Sequence, residues 1–280
     1  MSEAVSEAIV DCQSLIKIHK QGNLEVVALH GLDFAMERGE FISVVGKSGA
    51  GKSTLLRILA GLDLPSAGKV DVAGVSLTDI SPKDLTKHYR RQVGFLWQDY
   101  SRNLLPYLTV VQNVELPMLL AGVGGKERKR RARDLLEATG LENQTYSRIA
   151  TMSGGQQQRL AMCVALAGEP ELLLADEPTG ELDTETSLEI YELLRGLNHE
   201  GLSILVVTHD VALAKRTDRV VRLADGKMVA EGHGDDYPVT FDAGGAVTLP
   251  RDLLLAAGVE REATAKLTDD GILIERREQP

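Results

Sequence analysis

Cysteine is scarce in this chain: Cys12 and Cys163 are the only two in 280 residues, too few for a disulfide framework and in keeping with a reducing compartment. Long hydrophobic runs are missing too, since none approaches the roughly 18–20 residues that a bilayer span requires. Positive charge is not in excess. Lys and Arg number 31 against 41 Asp and Glu, a net charge of −10, which excludes a chain whose whole surface grips nucleic acid. The opening MSEAVSEAIVDCQ places acids where a signal peptide needs bases. Secretion and self-insertion into a membrane are therefore not expected, and a cytoplasmic chain is. Internal repeats and low-complexity tracts are absent. What remains is 43% hydrophobic and 26% charged, ample for a buried core, at a length suited to one large domain plus a small appendage.

Along the chain, short apolar stretches from about Ile9 to Arg38, broken by Gly22, Asn23 and Gly31, predict strands joined by turns. Phe41-Ile42-Ser43-Val44-Val45 is the compact β-branched run that a buried parallel strand requires. It enters a glycine-rich turn, after which Leu55, Leu56, Ile58 and Leu59 recur at helical spacing. Helices are also predicted over about 126–139, 154–168 and 184–199. Two more buried strands, Leu172–Ala175 and Ser203–Val207, end in Asp176-Glu177 and Thr208-His209-Asp210. Apolar strands alternating with helices predict an α/β fold with a mainly parallel sheet, its polar residues at the carboxyl ends where such sheets hold ligands. The texture changes after residue 234. The predicted division is a domain over 1–234 and a small module over 235–280, whose ten acids and five bases give it a net charge of −5.

The chemistry is concentrated in four places. Gly46, Lys47, Ser48, Gly49, Ala50, Gly51, Lys52, Ser53 and Thr54 match GxxxxGK[ST] in full, between a strand and a helix. Glycines let successive backbone N–H groups curl around nucleotide phosphates, with the helix N-terminus behind them. Lys52 would reach the β- and γ-phosphates, and the Ser53 hydroxyl would ligate Mg²⁺. Asp176 and Glu177 would divide labour: Asp176 holds Mg²⁺ through water and Glu177 polarises the attacking water. His209, at the same sheet edge, can reach the γ-phosphate. Ser153-Gly154-Gly155-Gln156-Gln157, which begins 107 positions after Gly46, precedes a helix and offers a second anion-binding terminus. Two phosphate-gripping loops in one chain suggest that they meet across a dimer.

These segments, with Gln98, LLLADEPTGELD at 172–183 and VVTHD at 206–210, resemble the nucleotide-binding subunits of ABC transporters, in order and spacing, over about residues 10–234. The resemblance implies a P-loop ATPase fold with antiparallel β and helical subdomains, and a head-to-tail dimer, with a second copy or a related ATPase subunit, sandwiching two ATP. Ser153, Gly154, Gly155 and Gln157 of one chain would contact the nucleotide held by the other. Gln98 would link the Mg²⁺ site to the helical subdomain, and Asp183 would sit at the dimer seam. EPTGxLD, Gln156–Arg159 and Asn113-Val114-Glu115-Leu116-Pro117 look like the branch serving lipoprotein release and macrolide efflux. In that branch the integral membrane permease is usually a separate chain, and such a permease is the expected partner. The ATPase then lies peripherally on the inner face of the cell membrane.

Several positions depart from the family pattern. His19 is the nearest match to the adenine-stacking aromatic. Trp97-Gln98-Asp99-Tyr100-Ser101-Arg102-Asn103-Leu104-Leu105-Pro106 carries two extra residues after Gln98. Met152 replaces the usual Leu, and Cys163-Val164-Ala165-Leu166 lacks an arginine before Ala-Leu. The basic cluster Lys126, Arg128, Lys129, Arg130, Arg131 and Arg133 could meet nucleic acid or anionic lipid. It reads better as a solvated helix face, with Leu135, Leu136 and Ala138 on the buried side. The tail predicts a strand and short helix over 247–259, then a hairpin through Asp269-Asp270-Gly271. It resembles an AbrB/SpoVT-type swapped-hairpin module, with Glu262 in place of a common glycine. Its acidity favours dimerisation or partner docking over DNA binding. The competing function is a soluble ABC-type ATPase acting on nucleic acid or ribosomes, with the tail as reader.

Overall fold

The computed structural model describes residues 8–22, 24–180, 182–232, 263–268 and 271–276. The chain divides into two compact units, Met1–Asp236 and Tyr237–Pro280. The first opens with β1 (Ala8–Gln21), β2 (Leu24–Glu37), β3 (Phe41–Val45) and helix α1 (Lys52–Leu59). It continues through β4 (Ala67–Val72), β5 (Val75–Ser76), α2 (Pro82–Arg91) and β6 (Val93–Leu96). Three helices follow, α3 (Val110–Leu120), α4 (Gly125–Ala138) and α5 (Gly154–Leu166). The unit closes with β7 (Leu172–Asp176), α6 (Thr184–His199), β8 (Ser203–Thr208), α7 (Val211–Ala214), β9 (Arg219–Ala224) and β10 (Lys227–Gly232).

Two sheets result. A six-stranded sheet runs β10-β9-β3-β8-β7-β6, parallel throughout except for the antiparallel edge strand β10. A four-stranded antiparallel sheet runs β2-β1-β4-β5. Every residue of β3, β7 and β8 is buried, because both faces of the parallel sheet are covered.

Alternation sorts the side chains between two cores. Ile42, Val44, Leu172, Leu174, Leu205 and Val207 face one way, onto α1 and the antiparallel sheet through Leu55, Leu56, Leu29 and Phe34. Phe41, Leu173, Ala175, Ile204 and Val206 face the other way, onto α3, α4, α5 and α6 through Val114, Leu136, Leu160 and Tyr191. The predicted P-loop α/β architecture and helices α4, α5 and α6 are as expected. On α4, however, Ala138 is exposed. The buried stripe is Ala132 and Leu136, one turn apart, with Leu135 partly buried beside them.

Parallel pairing has the consequence that matters for function. Val45 pairs with Thr208, Asp176 with Val207, and Leu96 with Ala175, so the residues after β3, β6, β7 and β8 all emerge at one edge. The second unit contains an antiparallel pair, β11 (Ala263–Thr268) and β12 (Gly271–Arg276), in register from Ala263 with Arg276 to Thr268 with Gly271. The strand and helix expected over 247–259 lie outside the described residues. Among the described residues no helix is long and apolar enough to cross a membrane.

Candidate active site at the carboxyl edge of the parallel sheet

The turn from β3 into α1 is held by two glycines that nothing larger could replace. A Cβ on Gly46 would lie 2.2 Å from the Leu223 carbonyl oxygen. Gly51, at φ 102°, would carry its Cβ 2.5 Å from the Ala28 oxygen. The loop between them, Lys47, Ser48 and Gly49, is exposed, while Ala50 is buried and its N–H donates to the Lys47 oxygen. Lys52 opens the helix and is only 7% exposed. Its Nζ donates to the carbonyls of Gly46 at 2.7 Å and Lys47 at 3.1 Å, which places the ammonium under the loop. Thr54 Oγ1 lies 3.5 Å from Nε2 of His19, itself exposed on β1.

Ser53 faces β7. Its hydroxyl donates to Oδ1 of Asp176 at 3.1 Å. Burial pushes the Asp176 carboxyl above the ordinary aspartate range; the Ser53 hydrogen bond and the charge of Lys52 oppose that rise, and neighbouring Glu177 adds to it. Among the described residues no three or more His, Cys, Asp or Glu converge as a metal cage. One hydroxyl beside one carboxylate, close to a phosphate-binding loop, is nonetheless the oxygen-donor set that Mg²⁺ takes, with phosphates and water filling the other positions. The residues present fit that ion.

Glu177 follows directly and is the strained residue of the site. Its φ is 45°, a left-handed backbone that a glutamate adopts at a cost, held by its N–H donating to Val207 O at 2.8 Å. The strain turns the side chain towards His209, whose Nδ1 lies 2.8 Å from Glu177 Oε2. Gln98 is exposed beyond the end of β6, and among the described residues no hydrogen bond joins it to Ser53 or Asp176. Its neighbours are anchored. The Trp97 N–H donates to Asn103 Oδ1 at 3.0 Å, and the Arg102 guanidinium lies 3.7 Å from the Trp97 ring centre.

The second glycine loop is an N-cap. Ser153 Oγ accepts from the Gln156 N–H while the Gln156 side chain accepts from the Ser153 N–H, a reciprocal capping box. Gln157 is turned inward, its amide donating to Met152 O at 3.0 Å. Asp183 caps α6 by accepting from the Thr186 N–H at 2.9 Å and hydroxyl at 2.8 Å. These hydrogen bonds hold the Asp183 carboxyl below the ordinary range. No hydrogen bond joins the 153–157 loop to the 46–54 loop among the described residues.

Two contributors escape sequence reasoning. Gln158 is buried, and its amide donates at 2.6 Å to Pro178 O, tying α5 to the turn after Glu177. Thr186 packs so closely on α5 that a Cβ on Gly155 would meet its Cγ2 at 2.8 Å. A buried glutamine in a polar run and a threonine opposite a glycine carry no local pattern.

A cradle of N–H groups, a lysine beneath it, a hydroxyl–carboxylate pair and a glutamate held by a histidine are parts for phosphoryl transfer to water. The model of the family described as "ABC transporter" matches residues 29–180. The chain belongs to that family. It is 49% identical over 211 residues to a lipoprotein-releasing system ATP-binding protein of Ruegeria pomeroyi, covering 74% of this chain and 90% of the relative. It is 40% identical over 225 residues to a macrolide export ATP-binding/permease protein of Acinetobacter baylyi, covering 80% of this chain but 34% of that longer relative. Among solved structures, the dimeric post-hydrolysis state of an ATP-binding cassette bound to ADP and Pi superposes with TM-score 0.74 at 38% identity, covering 80% of this chain and 98% of that one. The ABC chain is an ATP-binding, ATP-hydrolysing transporter subunit.

Proposed function

We propose that this ABC subunit drives export or lipoprotein release through a separate membrane permease, from the cytoplasmic face, as a head-to-tail homodimer closing on two ATP. The observation that carries the reading is the one sheet edge that gathers Lys52, the Ser53–Asp176 pair and the Glu177–His209 pair. The ATP-binding domain spans 1–234. The module over 235–280 holds two copies together between cycles or docks on a partner.

In the proposed mechanism the Lys52 ammonium exchanges the Gly46 and Lys47 carbonyls for β- and γ-phosphate oxygens, while the N–H groups of 47–54 cradle the phosphates. Ser53, Asp176 and Gln98 would hold Mg²⁺. The ion, when bound, neutralises charge on the β- and γ-oxygens. Glu177 orients water in line with the γ-phosphorus. His209 gives its Nδ1–H to Glu177 and, with the ring doubly protonated, donates its Nε2–H to a γ-phosphate oxygen. Ser153, Gly154, Gly155 and Gln157 of a second copy close the far side, Asp183 lines the seam, and His19 flanks the adenine. A cavity of about 300 Å³ between α2, α3 and β6, lined by Tyr89, Phe95, Leu116, Pro117 and Leu120, suits a cytoplasmic helix of the permease.

The test is a pull-down of the Glu177→Gln variant with ATP from detergent-solubilised membranes. Recovery of a polytopic membrane protein is expected. Recovery only of a soluble dimer, or of DNA or ribosomes, would overturn the permease partnership.

A further inference from the structure

The basic cluster that stands out in the sequence, on α4, is largely spent within the fold. Arg128 pairs with Glu115, Arg130 with Glu127 and Asp134, Arg131 with Glu127 and Glu169, and Arg133 with Asp134. A second set does not stand out because it is interleaved along α2. Lys83, Lys87, Arg90 and Arg91 recur at i, i+4, i+7 and i+8 and so share one helix face. All four are exposed, and among the described residues none is in an ion pair. The Arg90 guanidinium donates to a carbonyl, Leu120 O, at 3.5 Å. The one acid on the helix, Asp84, is taken up at the N-cap, where it accepts from the Ser81 hydroxyl at 2.6 Å.

Beside this face stands the end of α3, with Leu119 and Leu120 54% and 57% exposed. Cations and leucine together border an open cavity of about 370 Å³, lined by Lys83, Thr86, Lys87, Arg90, Arg91 and Leu120. Four unneutralised cations on one face of a chain carrying net −10, next to protruding aliphatic side chains, match an anionic, amphipathic surface. An acidic protein segment would satisfy the charges but leave both leucines in water.

We propose that the α2 face and the Leu119–Leu120 tip form a contact surface for an anionic lipid bilayer. This deepens the peripheral location proposed above and rests on that reading, since Arg90 and Leu120 also border the cavity assigned to the permease. The surface would bring the cavity to the leaflet before a permease is engaged.

The test is co-sedimentation of the full chain with vesicles of phosphatidylcholine alone, or with about one third phosphatidylglycerol. Binding is expected to the anionic vesicles only, and to weaken as salt is raised. The K83E/K87E/R91E variant should lose at least about tenfold in partitioning, since each surface cation near an anionic leaflet contributes roughly fivefold. A K126E/K129E variant on α4, with two charges reversed, should bind as the parent does. Both should keep parental ATP turnover in solution, since none of these residues lies in the catalytic site. Equal binding to both vesicle types, no binding to either, or an unaffected α2 variant would overturn the proposal. Because no permease is present, such a result would leave the pull-down above to judge the permease reading alone.

Discussion

The Glu177 carboxylate accepts a 2.8 Å hydrogen bond from Nδ1 of His209 across the β7–β8 seam. A carboxylate can only accept, so the proton sits on Nδ1 and Nε2 is left as the neutral ring's acceptor, or as a second donor when the ring is charged. Histidine thereby aims the glutamate and presents its other nitrogen outward. Replacing Glu177 by Gln keeps the shape and removes the carboxylate proposed to orient water, so ATP turnover should fall by about 10²–10⁴-fold while ATP binding persists. His209→Ala should lower turnover by about 10²-fold with a smaller effect on nucleotide affinity. Steady-state kinetics beside equilibrium nucleotide binding separate the two.

Glu177 pays for its position in backbone strain, at φ 45°. Glycine adopts that conformation freely, so Glu177→Gly should raise stability by roughly 1 kcal/mol, a Tm gain of about 2–4 °C for a unit of this size, while abolishing turnover. Differential scanning calorimetry with an ATPase assay checks the opposed signs. A variant that loses both stability and activity would show that the side chain, not the backbone, dominates there.

Asp176 gives a pH dependence whose sign is set by burial. Its carboxyl titrates above the ordinary range, so the folded state favours the neutral acid. The charged form therefore costs stability above the folded pKa, and that cost disappears as pH falls through the folded value to the unfolded one. Asp176→Asn should accordingly be more stable than the parent at neutral pH, with the difference shrinking towards acid pH. It should also lose Mg²⁺-dependent nucleotide affinity. Thermal unfolding across pH and nucleotide titrations with and without Mg²⁺ test both halves.

Gly155 and Thr186 form a tight contact between the starts of α5 and α6. Gly155→Ala places a methyl group 2.8 Å from Thr186 Cγ2, an overpacking expected to cost about 1–3 kcal/mol. Thr186→Ser removes that methyl but keeps the hydroxyl bonded to Asp183, so the double variant should regain most of the loss in Tm. Additive losses would contradict the contact.

The parallel sheet and the phosphate loop were legible in the sequence because they rest on continuous patterns. β3 is a five-residue run, apolar but for Ser43, feeding the glycine-rich turn, and α1 shows its buried stripe at once. The strand pair β11–β12 was likewise visible in its alternation and Asp-Asp-Gly turn. Other elements were not. α2 buries only His88 along its length and shows no apolar stripe, so its evidence is the Ser81 cap and Pro82 at its first position. α3 holds Pro117 inside the helix and is fixed by the Thr109–Gln112 capping box. At the site, single residue types announced Lys52, Ser53, Asp176, Glu177 and His209. Gln158 and Thr186 act through partners 20 and 31 residues away, the second across to Gly155, and only the fold brings such pairs together.

In the proposed dimer each ATP site is completed by the Ser153 loop of the second copy. Sedimentation of the Glu177→Gln chain with Mg²⁺ and ATP, with and without Ser153→Arg, tests it most directly. A closed dimer that retains one nucleotide per chain is expected, and both closure and retention should be lost when Ser153→Arg is added. Nucleotide retained by a monomer, or retention unaffected by Ser153→Arg, would contradict it.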